Sequence, residues 1–215
     1  RLQVAREAVW RLLHQQRNTR FGLFAFNSSS GIGTSRETAG GRLLVEVAGI
    51  SPGIAGEEHL RRLEEALDAL APDTGTNPDL YTWTPLAETH YEISRYLRGM
   101  DSFYNPAQAT YSSPLQWRCQ PSAALLITDG LPTYDSQFPT SGDQDPAGLL
   151  SASGGHYGLP DWDGNADNDA NGEPLHQPGS TFYLDDVAAF ARDLDLRTGG
   201  QDAAGASWDD PLHPR

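Results

Sequence analysis

The stretch "ALLITDGLPTYD", residues 124–135, joins an apolar run to an abrupt polar end. Residues 124–127 are apolar, and Thr128 and Asp129 follow them directly. An apolar run that stops at Asp-Gly predicts a buried strand over 122–128. Because ligands of open α/β sheets bind at the carboxyl ends of strands, Asp129 becomes the first candidate site residue. It could bind a cation, act as an acid or base, or form an Asx-turn.

The composition limits the classes of partner. The chain has 215 residues, with 29 acidic and 15 basic side chains and a formal net charge of −14. This charge argues against nucleic acid and anionic membrane surfaces as partners, since both require basic patches. No apolar run approaches the ~18 residues of a membrane helix. The chain opens on Arg1 inside a predicted helix, so we expect a segment of a longer protein, in which an export signal could lie outside these residues.

The order of predicted elements indicates an α/β domain. Hydrophobic periodicity predicts four helices. One of them begins after Thr84, with Thr84 as N-cap and Pro85 at the first helical position. The buried stripe of this fourth helix is expected to be Leu86, His90, Ile93 and Leu97. The expected ranges are helices 2–16, 57–70 and 184–196, strands 19–27, 42–50 and 122–128, a loop at 99–121, a long insertion at 130–180 and an irregular tail at 198–215.

Thr84 adds a second candidate ligand to Asp129. A Thr followed by Pro at a helix start presents its hydroxyl from a loop. Together, the Thr84 hydroxyl and the Asp129 carboxylate offer hard oxygen ligands, which suit Mg²⁺ or Ca²⁺.

These two segments resemble a known family. "TPLAET" (84–89) before a helix and "LLITDGLPT" (125–133) after an apolar run are similar to the second and third pieces of the metal-ion-dependent adhesion site of von Willebrand factor A (VWA) domains. Further segments narrow the resemblance to the VWA-type domain of PilC/PilY type IV pilus tip-associated adhesins. They are "RLQVAREAVWRLL" with "RFGLFAFN", "RYLRG", "SPLQWRCQPSAALLITDG" and "FYLDDVAAFARDLDLR".

The resemblance implies a parallel sheet with helices on both faces, spanning 1–197. It also implies a non-catalytic role in adhesion or pilus biogenesis, an extracellular or pilus-associated location, and pilus subunits or a host surface protein as partners. Thr84 and Asp129 would be metal ligands. The family's leading Asp-x-Ser-x-Ser motif and its last strands are absent from these residues, so a full adhesion site cannot be assembled from them.

An acidic stretch, "DWDGNADNDANGEP" (161–174), offers a second cation site. The run from Asp167 to Gly172 matches the first half of a calcium loop, D-x-D-x-N-G, in which alternate oxygens converge on one ion. The twelfth position is Pro178 rather than Glu, so this is not a regular EF-hand. The alternative is a solvated acidic loop. The candidate ligands are Asp167, Asp169, Asn171 and Glu173, a weaker half-match of Asp161, Asp163 and Asn165, and the flanking Asp185 or Asp186.

Two other functions stay open. One is an intracellular, magnesium-dependent VWA interaction module. The other is an Asp-dependent phosphatase, because "DWDGN" (161–165) resembles the nucleophile motif of haloacid-dehalogenase-like enzymes. That chemistry needs the first Asp at the tip of a buried strand, and "SASGGHYGLP" before Asp161 is no strand pattern.

Overall fold

A computed structural model describes residues 2–27, 40–70, 84–128, 130, 132, 135, 138, 183–193 and 196–209, with only the backbone at 186 and 193. Within these ranges the chain is mixed α/β, which confirms the predicted class at that level. The elements are α1 (Leu2–Gln15), β1 (Arg20–Phe26), β2 (Gly41–Gly49), α2 (Ile54–Ala69), α3 (Leu86–Arg98) and α4 (Tyr183–Asp193).

The sheet in the described ranges is an antiparallel pair of strands. Arg20 of β1 lies opposite Gly49 of β2, and Phe26 lies opposite Gly41, with irregular pairing around Leu23. Every residue of β1 is only half-buried, although the strand is apolar on both faces. The larger parallel sheet implied by the family resemblance is therefore not established.

Helices cover both faces of this hairpin. Phe21 and Leu23 pack into a core with α1 and α2, whose buried members are Leu13, Val45, Ile50, Leu60 and Leu63. Phe24 points the other way, with its ring 5.6 Å from that of Tyr96 on α3, as the alternation of side chains along a strand requires. The second core joins α3 to α4 through Ala87, Tyr91, Phe138, Tyr183, Val187 and Phe190.

The prediction of a buried strand over 122–128 is wrong for this structure. These residues form no regular element, and all but Leu126 are exposed. Leu125 is 71% exposed and Ile127 is 45% exposed. An apolar run becomes a buried strand only when neighbouring strands and a helix layer cover it, and no strand pairs with this segment in the described ranges.

The predicted stripe of α3 is also wrong in part. Leu86 is buried, but His90, Ile93 and Leu97 are only half-buried. The deepest burial falls on other residues of the helix, several of them polar. Those with no more than 1% exposure are Ala87, Glu88, Tyr91, Glu92 and Ser94. Hydrophobic periodicity missed this surface because it counts polar residues as solvent-facing.

Residues 198–209 are irregular, as predicted, but they are tied to the domain. Ala203 donates its N–H to the carbonyl of Gln116 at 2.8 Å. The Asp202 carboxylate accepts the N–H groups of Ala204 and Ala206, each at 2.9 Å. The helices in the described part of the chain include none that is long and apolar enough to span a bilayer.

Candidate functional site at the start of α3

The start of α3 is held by a carboxylate that is distant in sequence. Leu86 is the first helical residue, and Pro85 occupies the N-cap position without a side-chain cap, so the predicted Thr84 cap is wrong. Asp135 performs this task instead. Its two carboxylate oxygens accept the N–H groups of Ala87 and Glu88, each at 2.9 Å. One fully buried side chain therefore satisfies N–H groups that a helix start leaves without partners.

Burial of Asp135 has an electrostatic consequence. Removal from water raises the pKa of its carboxyl group to about 7, although the backbone N–H groups of the helix start act to lower it. The carboxyl group therefore exchanges its proton near neutral pH, far above the ordinary range of Asp.

A second buried carboxylate, Glu88, connects α3 to the hairpin. It accepts the backbone N–H of Gly40, just before β2, at 2.6 Å. Gly40 has a φ of +67°, and a Cβ atom there would lie 2.4 Å from the ring of Tyr104. Tyr104 is packed so closely that burial, with Glu88 and Asp135 nearby, raises the pKa of its hydroxyl well above the ordinary value.

A third buried carboxylate, Glu92, lies one turn further along α3. It accepts the hydroxyl of Tyr111 at 2.7 Å, the N–H of Phe103 at 3.1 Å and the hydroxyl of Ser102. Arg95 extends this polar layer, donating to the carbonyl of Asp101 at 2.7 Å. These bonds tie the loop after α3 back onto the helix.

The three carboxylates are therefore engaged with protein donors. Glu88, Glu92 and Asp135 have no solvent exposure, and each accepts hydrogen bonds that order a helix start or a loop. Among the described residues, no group of three or more acidic, His or Cys side chains is arranged to hold a metal ion. This part of the chain does not supply a complete cation site, and the arrangement fits a structural role for the cluster.

The predicted adhesion-site residues are only partly described. Thr84 is half-buried directly before α3, and its carbonyl accepts the N–H of Leu86 at 2.9 Å. Asp129 lies outside the described residues. Its neighbour Thr128 is exposed, and the Thr128 hydroxyl oxygen lies 3.3 Å from the N–H of Gly130. Asp135, six residues after Asp129 in the sequence, contacts the start of α3.

The acidic-loop candidates lie outside the described residues. They are Asp161, Asp163, Asn165, Asp167, Asp169, Asn171 and Glu173. Of the two flanking carboxylates, Asp185 is exposed in the first turn of α4, and only the backbone of Asp186 is described. Calcium binding by this loop therefore stays a prediction.

Sequence reasoning missed Asp135, Glu88 and Glu92. Asp135 is the last residue of "ALLITDGLPTYD", and Glu88 lies within "TPLAET", so both belong to segments that the sequence analysis had already singled out. The contact between Asp135 and the helix start joins residues 47 and 48 positions apart. Neither spacing nor periodicity carries a signal for such a contact.

Comparison with protein-family models, with curated proteins and with solved structures finds no match to this chain. The family resemblance therefore depends on the quoted segments alone.

Proposed function

We propose that this chain is a non-catalytic, cation-dependent module of a bacterial surface or pilus protein, acting in adhesion or type IV pilus assembly. The observation that carries the proposal is the ordered set of segments around "TPLAET" and "TDG". Its fold would be a VWA-like α/β domain. The observed hairpin, with helices on both faces, is compatible with part of such a domain. The location would be extracellular, and the partners would be pilus subunits or a host surface protein.

The geometry at the start of α3 supports this proposal in one respect. Thr84 lies two residues before a helix whose Ala87 and Glu88 N–H groups are held by Asp135, so the helix start beside it is ordered by a distant segment. A ligand that stands on a rigid element needs little ordering when a cation binds. The described residues do not complete a cation site, and the further ligands would come from the acidic loop or from the motif missing here.

The second support is the charge and chemistry of the chain. A net charge of −14 favours cation binding and disfavours polyanionic partners. An Asp or an Asn occupies every second position from 161 to 171, and their side chains offer the oxygen ligands that Ca²⁺ takes. We propose Ca²⁺ in the acidic loop, and Mg²⁺ or Ca²⁺ at Thr84 and Asp129 only when the missing motif is supplied.

Binding to pili tests the proposal. Fluorescently labelled chain is incubated with purified type IV pili in buffer with Ca²⁺ and Mg²⁺, and bound label is measured after sedimentation of the pili. We expect retention that falls on the order of tenfold when a chelator removes both cations, a loss of about 1.4 kcal/mol. Readdition of Ca²⁺ should restore it.

The controls separate the alternatives. Asp68→Ala removes one exposed carboxylate of α2 that is not among the candidate ligands, and this variant should bind pili as the unchanged chain does. The proposal is contradicted if the labelled chain does not sediment with the pili, or if the chelator does not change the amount that does. Turnover of a phosphate-ester panel with Mg²⁺ that Asp161→Asn abolishes would establish the phosphatase instead.

A further inference from the structure

The two residues that flank the segment 139–182 lie side by side. The ring of Phe138 packs against the ring of Tyr183, with 5.5 Å between their centroids and an angle of 82° between their planes. Phe138 is 6% exposed, and Tyr183 is fully buried. The chain therefore leaves the described domain for this segment and re-enters it at one point. We call the pair Phe138 and Tyr183 the clasp.

The clasp lies against the start of α3. Both of its rings belong to the core that includes Ala87 and Tyr91 of this helix, and the ring centroid of Phe138 lies 6.1 Å from that of Tyr91. Ala87 also donates its N–H to Asp135, three residues before Phe138. The short stretch from Asp135 to Phe138 therefore carries both the cap of α3 and one half of the clasp.

The other half of the clasp leads directly to a candidate cation ligand. Tyr183 is the first residue of α4, and Asp185 is exposed in the first turn of that helix. Tyr183, Val187 and Phe190 bury α4 against α3, so the backbone of Asp185 has a fixed place next to the clasp. A cation that takes ligands from both the acidic loop and Asp185 binds best while the clasp is closed.

The free energy of closing the clasp has two opposing parts. Holding the ends of a long segment together costs conformational entropy, and this cost rises with the length of the segment. Burial of the Phe138 ring opposes the cost. A cation that ties the segment together while its ends are adjacent lowers the cost, and it thereby shifts the clasp toward the closed state.

We propose that the clasp couples cation binding in the segment 139–182 to the start of α3, so that Ca²⁺ bound there tightens the Asp135 cap beside Thr84. This inference rests on the proposed function, because it takes Ca²⁺ as the ligand of the acidic loop. Coupling between two sites is reciprocal. The factor by which Ca²⁺ stabilises the closed clasp is therefore the factor by which a closed clasp raises the affinity for Ca²⁺.

Amide hydrogen exchange of the unchanged chain tests the coupling without any substitution. We expect saturating Ca²⁺ to slow exchange at the N–H groups of Ala87 and Glu88, which Asp135 holds, by at least about fivefold. The internal control is α2, whose buried Leu60 and Leu63 belong to the other core and should slow much less. Equal slowing in α2 and at the start of α3 overturns the proposal, because Ca²⁺ would then act on the whole chain.

Matched variants test whether the coupling runs through the clasp. Phe138→Ala opens the clasp and should weaken Ca²⁺ binding, measured by calorimetry, by at least about fivefold. Phe103→Ala is the control, because this ring also packs 6.2 Å from Tyr91 but is 39% exposed and lies outside the clasp. It should bind Ca²⁺ as the unchanged chain does. Circular dichroism checks that both variants fold, and the exchange measurement decides the matter if Phe138→Ala does not.

The outcomes separate this inference from the proposed function. A purely structural role of Phe138 would lower the unfolding midpoint and leave the affinity for Ca²⁺ unchanged. That result overturns the coupling, while Ca²⁺ binding by the acidic loop stands. An absence of Ca²⁺ binding to the unchanged chain overturns both.

Discussion

Replacement of Asp135 by Ala is expected to lower the free energy of unfolding by about 2–4 kcal/mol. The carboxylate is fully buried and accepts the N–H groups of Ala87 and Glu88. Its removal leaves both groups without their partner at a helix start that has no cap of its own. The loss combines a missing helix cap with buried donors that water does not reach, so it exceeds that of an exposed cap.

Urea unfolding at about pH 5, followed by circular dichroism, measures this loss. Asp68→Ala is the matched control, because it deletes an exposed carboxylate from α2 and should leave the unfolding midpoint unchanged. A destabilisation by Asp135→Ala that equals the effect of the control would show that Asp135 does not hold α3.

Raising the pH from about 4 to about 8 is expected to cost the protein up to about 4 kcal/mol through Asp135. The pKa of this carboxyl group is 3.8 in the unfolded chain and about 7 in the folded protein, with burial as the main cause. The folded state therefore binds more protons than the unfolded state between these values. The contribution of Asp135 is fully present below about pH 4 and is lost as the pH rises through about 7.

Comparison with Asp135→Asn isolates this effect from other carboxyl groups. The pKa values of Glu58 and Asp202 are lowered, chiefly by hydrogen bonds to Arg61 and to the N–H of Ala206 respectively, so these two groups oppose the trend. Asn carries no charge at any pH. The stability of the unchanged chain minus that of the variant should fall as pH rises. A difference that stays constant from about pH 4 to about pH 8 would contradict the raised pKa.

The sequence allowed the elements to be predicted where local patterns decide them. The helices α1, α2 and α4 and the strands β1 and β2 were predicted within three residues of their observed bounds. Their apolar residues have helical or alternating spacing, and Gly or Pro residues break the pattern between them. The start of α3 was predicted at Pro85 with Thr84 as its cap, one residue before the observed start at Leu86, and its buried face was not predicted.

The remaining features depend on contacts between distant segments. Residues 122–128 have the composition of a buried strand, but composition cannot supply a neighbouring strand. Asp135 reads locally as a turn residue, and only its position beside Ala87 and Glu88 makes it a cap. From the sequence alone, Glu88 and Glu92 would be predicted to face solvent. Both are buried, and hydrogen bonds from Gly40, Tyr111 and Phe103 compensate for the burial of their carboxylates.

Calcium titration by calorimetry tests the central claim, that this chain is a cation-binding module, most directly. It is carried out on the unchanged chain, on Asp167→Ala/Asp169→Ala and on the control Asp68→Ala. We predict saturable binding of Ca²⁺ to the unchanged chain and to the control, with loss of at least about tenfold in affinity in the double variant. Identical behaviour of all three chains, with no heat of binding in any, would contradict the claim.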